Sequence, residues 1–98
     1  MIHRFVNLSF KPESKELVEQ LFAEVSPKVR GFNGCEYLDI FFDPKGRGRV
    51  ITYSLWDSTD HLEEYRNSEL FKAFWDELKL HFAKPAEAYS LHRIHHLP

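Results

Sequence analysis

The chain has 98 residues, 43% of them hydrophobic and 29% charged, and thirteen Lys and Arg against fifteen Asp and Glu leave a formal net charge of −2. That length suits a single domain over residues 1–98, and the composition excludes disordered, collagen-like and low-complexity classes. The near balance of charge argues against nucleic acid as a partner, and no apolar run approaches the ~20 residues of a membrane span.

Two further features frame the reading. Cys35 is the only cysteine, so no internal disulfide can form; with no signal-peptide core at the start, a cytoplasmic protein is expected. Nine Phe, four Tyr and two Trp are many for so small an interior, so some are expected in a ligand pocket or a subunit interface.

Residues 2–10 alternate as a strand, with Ile2, Arg4, Val6, Leu8 and Phe10 on one face and His3, Phe5, Asn7 and Ser9 on the other. Pro12 suits a helical first turn, and Leu17, Val18, Leu21, Phe22 and Val25 recur at helical spacing. Pro27 is expected to end or bend that helix, with Gly31 and Gly34 closing the connection. A second strand follows over 35–43, then turn chemistry at Asp43-Pro44-Lys45-Gly46-Arg47-Gly48, then a returning strand over 49–56. Asp57 or Ser58 can cap the next helix, which Asn67-Ser68 interrupts, and Ser68 can cap a fresh start. Phe71, Phe74, Trp75, Leu78 and Phe82 mark one wide apolar face, Pro85 breaks the chain, and 88–97 reads as a last strand.

Strand, helix, strand, strand, helix, strand is the order of the split βαβ, ferredoxin-like plan. This is an α+β fold, with an antiparallel four-stranded sheet and two main helices on one face. Two helices cover only one face. Val6, Leu8 and Phe10 are therefore expected on the uncovered side, joining two copies sheet to sheet as a homodimer.

Several alternatives meet physical objections. RNA-recognition domains of this plan need stacking aromatics where Arg4, Arg49 and Ile51 stand. His92 and His96 on one strand would lie ~13 Å apart, too far for a single zinc, so no metal site is expected. Cys35 has no basic neighbour in sequence to activate it and reads as a structural thiol.

The more informative set is polar. Asn7 sits mid-strand beside Phe5, while Thr52, Ser54 and Trp56 share a face of the third strand. Placed together beneath Phe71, Phe74 and Trp75, with Leu78 on the same helix face, they would line a pocket for a small molecule.

The opening Ile2-His3-Arg4-Phe5-Val6-Asn7, the Thr52-Tyr53-Ser54-Leu55-Trp56-Asp57-Ser58 stretch, and Tyr65-Arg66-Asn67-Ser68-Glu69-Leu70-Phe71-Lys72-Ala73 together resemble the antibiotic biosynthesis monooxygenase family of dimeric α+β barrel proteins. The resemblance implies a monooxygenase that uses no cofactor and oxidises a small aromatic, phenolic or quinol substrate with O2. Asn7 would bond the substrate oxygen, Trp56 would shape or stack on the substrate, and His81 at the pocket's edge would act as base, with His61 and Tyr65 as other candidates. Phe5, Ser54, Tyr65, Phe71, Phe74, Trp75 and Leu78 would contact the substrate. The family's haem-degrading branch looks similar at Asn7 and Trp56, but its iron-binding histidine falls on Trp75. A non-catalytic ligand-binding or stress-related dimer, or a haem-binding protein, are the alternatives the resemblance leaves open.

Overall fold

Alternation of aliphatic residues with bulkier or polar ones makes Ile2–Ser9 (β1) the strand around which the molecule is assembled. The computed structural model describes all of residues Met1–Pro98. A 3-10 turn over Pro12–Ser14 leads into helix α1 (Lys15–Arg30). Strands β2 (Cys35–Phe42) and β3 (Arg49–Trp56) form a hairpin, helices α2 (Thr59–Arg66) and α3 (Glu69–Lys79) follow, and β4 (Glu87–Leu91) completes the chain of elements. The sheet runs β2-β3-β1-β4, with every neighbouring pair antiparallel. This is the ferredoxin-like α+β plan, with an open sheet edged by β2 and β4 and three helices on one face.

Local chemistry sets the helix ends. Ser58 Oγ accepts from the His61 amide at 3.2 Å and Ser68 Oγ from the Phe71 amide at 3.1 Å, each satisfying one otherwise orphaned N–H. The second cap makes the interruption at Asn67-Ser68 a true break, with Ser68 starting a separate helix. Pro27 does not end α1. Its missing N–H removes one hydrogen bond, while Phe22 and Val29, buried on either side, hold the helix to the sheet as far as Gly31.

Register decides which face is covered. Ile2 pairs with Trp56, Arg4 with Ser54, Val6 with Thr52 and Leu8 with Val50, so these residues share one face. Leu8, Phe10, Val18, Phe22, Val50 and Leu78 form one buried cluster, and Ile2, Val29, Cys35, Trp56 and Leu62 form another. The expectation that Val6, Leu8 and Phe10 face away from the helices is therefore reversed: Leu8 and Phe10 are core residues, and Val6 packs against them. The aliphatic set of β1 has more to gain from burial than the set carrying His3, Asn7 and Ser9. What stays uncovered is aromatic instead. Phe5, Tyr37, Phe41 and Tyr89 are exposed on that side, and Phe5 and Tyr37 both pack on Tyr53.

β4 is shorter than expected. It ends at Leu91, and residues 92–98 form an exposed tail carrying His92, His95 and His96. No group of three or more His, Cys, Asp or Glu side chains lies close enough to hold a metal ion.

The β2–β3 turn depends on one glycine more than on its neighbour. Gly48 has φ of +76°, its carbonyl accepts from the Phe10 amide at 2.7 Å, and a Cβ there would overlap the Phe10 carbonyl oxygen. Gly46 has φ of +69°, but a Cβ there would meet nothing within 4 Å. Gly48→Ala is expected to destabilise by roughly 2–3 kcal/mol, and Gly46→Ala by only about 1 kcal/mol. Urea midpoints of the two variants check this; equal losses would mean that backbone conformation alone, and not the contact with Phe10, makes Gly48 necessary.

Candidate functional site

The sheet and helices do not close on each other completely. Small side chains on the sheet, Thr52 and Ser54 on β3 with Ala88 on β4, lie under the long aromatic side chains of α3, and the mismatch leaves a cavity of about 270 Å3. Phe71, Phe74, Trp75 and Leu78 of α3, Tyr65 of α2, Phe22 of α1, and Leu38 and Ile40 of β2 form most of its wall. A cavity of about 150 Å3 already accepts benzene, so this one suits a molecule of one or two rings.

The aromatic wall is held by its own contacts. Tyr65 stacks on Trp56 with centroids 4.9 Å apart and meets Phe71 edge-on at 5.2 Å. Phe71 stacks on Trp75 at 5.5 Å, and Phe22 meets Phe74 edge-on at 5.2 Å. Such pairs set the ring planes of the wall as well as burying area.

The cavity's polar groups are few. Trp56 is completely buried behind the floor, and its indole N–H donates to Ser54 Oγ at 2.9 Å. Ser54 has thus spent an acceptor lone pair on the indole and keeps its hydroxyl proton to donate. Burial pushes the Tyr65 phenol well above its ordinary range, so it stays protonated at neutral pH. Arg4 and Arg66 also line the space. Arg4 Nη1 donates to Ser90 Oγ at 2.8 Å, and Arg66 is paired with Glu63 at 3.0 Å. Burial, then the nearby Arg66, pull Arg4 below the ordinary guanidinium value, with Glu63 opposing them; it remains a cation at neutral pH. No aspartate, glutamate or histidine belongs to the lining.

Of the residues singled out in the sequence, Ser54, Tyr65, Phe71, Phe74, Trp75 and Leu78 come together around this cavity. Asn7 and Phe5 do not. Asn7 pairs with Ile51, and Phe5 with Tyr53, which puts both on the opposite face of the sheet from Trp56. The side-chain period of two makes this a correction of one residue in register with a complete reversal of direction. Asn7 donates to Glu87 at 3.3 Å, while its Oδ1 is buried without a partner. Trp56 supports the floor from behind rather than lining the cavity. His81 is hydrogen-bonded to Ser14 at 2.9 Å, beyond the C-terminal end of α3, where it ties the post-helix loop to the 3-10 turn. His61 bonds Ser58 at 2.7 Å at the start of α2. Neither imidazole reaches the lining. Sequence reading missed Arg4 as a lining residue, although its position among Ile2, Val6 and Leu8 was the available signal: a cation on an apolar face must reach an opening or a ligand.

The lining also answers for haem. It contains no imidazole, thiolate or thioether to hold iron, and Trp75, in van der Waals stacking with Phe71, occupies the wall. These residues do not fit a ligated haem.

Comparison with known proteins agrees with this architecture. The family profile described as Antibiotic biosynthesis monooxygenase matches residues 1–77. A crystal structure of an antibiotic biosynthesis monooxygenase is similar to this chain with a TM-score of 0.90 at 21% identity, covering 96% of this chain and 99% of the other. Rv0793 from Mycobacterium tuberculosis gives a TM-score of 0.88 at 15% identity, with 99% and 98% covered. A conserved protein from Methanosarcina mazei gives 0.85 at 17% identity, with 92% and 89% covered. At these identities the likeness is one of fold. No curated protein matches the chain significantly.

Proposed function

The chain belongs to the antibiotic biosynthesis monooxygenase family, and from that premise we propose that it is a monooxygenase that oxidises a small aromatic, phenolic or quinol molecule with O2 and without a cofactor, as a homodimer. The observation that carries the reading is the cavity of about 270 Å3 with an aromatic wall and a hydroxyl floor. Such a site positions a flat substrate against an aromatic wall, which is the protein's share of this chemistry.

The overall change balances without an added reductant. An activated ring methylene and O2 yield a carbonyl and water: the substrate supplies four electrons, one oxygen atom enters the carbonyl, and the other leaves as water with the two hydrogens. Ser54, its oxygen already holding the Trp56 indole N–H, donates its hydroxyl proton to the substrate oxygen on which negative charge develops. Thr52 lies beside it on the floor, and Phe71, Phe74 and Trp75 fix the ring plane.

Oxygen uptake tests this. Metal-free protein, offered a panel of hydroquinones and polycyclic phenols, is expected to consume O2 above the autoxidation rate with at least one of them. Ser54→Ala should lower that rate by about a hundredfold to a thousandfold, the usual worth of one lost donor to a developing oxyanion. Ala88→Phe, which puts a ring into the cavity, should abolish it. Tight binding across the panel with no uptake would replace the enzyme by a ligand-binding dimer.

A further inference from the structure

The cavity carries a cation that no carboxylate of the chain pairs directly, Glu63 acting on it only from a distance. Arg4 has no carboxylate within ion-pair distance; its guanidinium contact is the neutral hydroxyl of Ser90. Its neighbour Arg66 is already matched by Glu63 at 3.0 Å. The wall between them is apolar, and no acidic side chain lines it. An unpaired guanidinium facing a partly desolvated apolar space costs free energy unless a ligand supplies the anion. The same lining lacks a base for a neutral phenol: it has no carboxylate or imidazole, and the Tyr65 phenol holds its proton.

We infer that the cavity selects an apolar aromatic molecule carrying one ionised oxygen, a phenolate or enolate, with Arg4 as the residue that recognises that oxygen and lowers the bound molecule's pKa. The proton goes to solvent as the molecule enters. Arg66 and Ser90 are exposed, so the Arg4 end of the cavity meets water, and the hydrocarbon body points inward against Phe74 and Trp75. Through this device the ligand's own ionisation does what a protein base would otherwise do. The inference deepens the function proposed above by naming the substrate's charge state at that same site.

The test uses two coloured probes, 4-nitrophenol, whose anion absorbs in the visible, and 4-nitroanisole, of similar shape but unable to ionise. In the wild-type protein the ionisation midpoint of bound 4-nitrophenol is expected at least about one pH unit below that of the free probe, a tenfold preference for the anion. Arg4→Gln should remove most of that shift and weaken anion binding about tenfold or more, while 4-nitroanisole binds within about twofold of wild type, which also reports an intact cavity. Arg4→Lys should keep part of the shift, and Arg66→Gln, which frees Glu63 to act on Arg4, should reduce it. Equal binding of both probes by wild type, an unchanged midpoint in Arg4→Gln, or no binding of either probe would overturn the inference. Oxygen uptake is a separate readout. An anion-selective cavity without turnover would sink the monooxygenase and keep Arg4's role; turnover with no anion preference would do the reverse.

Discussion

Phe5→Glu and Phe41→Glu are each expected to convert a dimer into a monomer. Both side chains are exposed in the single chain, Phe5 at 37% and Phe41 at 55%, so a glutamate there costs the isolated fold little. They belong, however, to a mainly aromatic surface with Tyr37, Ile51, Tyr53, Leu55 and Tyr89, interrupted by His3, Asn7, Asp39 and Glu87, on the sheet face that no helix covers. The buried Asn7 Oδ1 without a partner lies on the same face, where a donor from a second copy would satisfy it. Burial, followed by the nearby Arg93, the N-terminal amine and His92, holds His3 below the ordinary imidazole range, so the neutral ring bonded to Tyr53 at 2.6 Å is the form that packs there. A two-fold interface repeats each substitution in both copies. At about 2–4 kcal/mol for a buried aromatic anchor lost to a charge, the doubled effect weakens association by roughly a thousandfold or more. Light scattering checks it: wild type should give twice the 11.7 kDa of one chain, and each variant that of one chain. A wild-type monomer at micromolar concentration would refute the dimer.

Trp56→Ala is expected to cost about 3–5 kcal/mol of stability, the range for removing a fully buried large aromatic. The indole has no exposed surface, stacks on Tyr65 and meets Phe32 edge-on at 6.3 Å. In a domain of this length such a loss lowers the melting temperature on the order of 20 °C. Trp56→Phe keeps most of the ring volume and forfeits the bond to Ser54, so roughly 1–2 kcal/mol is expected. Thermal melts with calorimetric enthalpies check both. A Trp56→Ala protein as stable as wild type would mean that the indole is a wall of the cavity free to be vacated, and not part of the core.

Element identity and order were legible in the sequence because they depend on local chemistry. Ser58 and Ser68 announce helix starts, the Asp43-to-Gly48 run announces a hairpin, and Phe71, Phe74, Trp75 and Leu78 recur at a period only a helix satisfies. The antiparallel ferredoxin-like plan follows from that order, and so does most of the aromatic wall, since α3's apolar face must turn toward the sheet and the neighbouring helices. Which face of β1 meets the helices was a different kind of question. Both faces carry apolar side chains, and a shift of one residue exchanges them, so only the pairing of Arg4 with Ser54 and of Asn7 with Ile51 decided it. That single choice moved Asn7 and Phe5 out of the cavity, brought Arg4 into it, and turned the uncovered surface from aliphatic to aromatic. His81 likewise needed three dimensions: the helical wheel put it at the cavity's edge, but α3 ends at Lys79 and the chain turns His81 toward Ser14. Periodicity determines what a residue shares a face with; tertiary pairing alone determines where that face points.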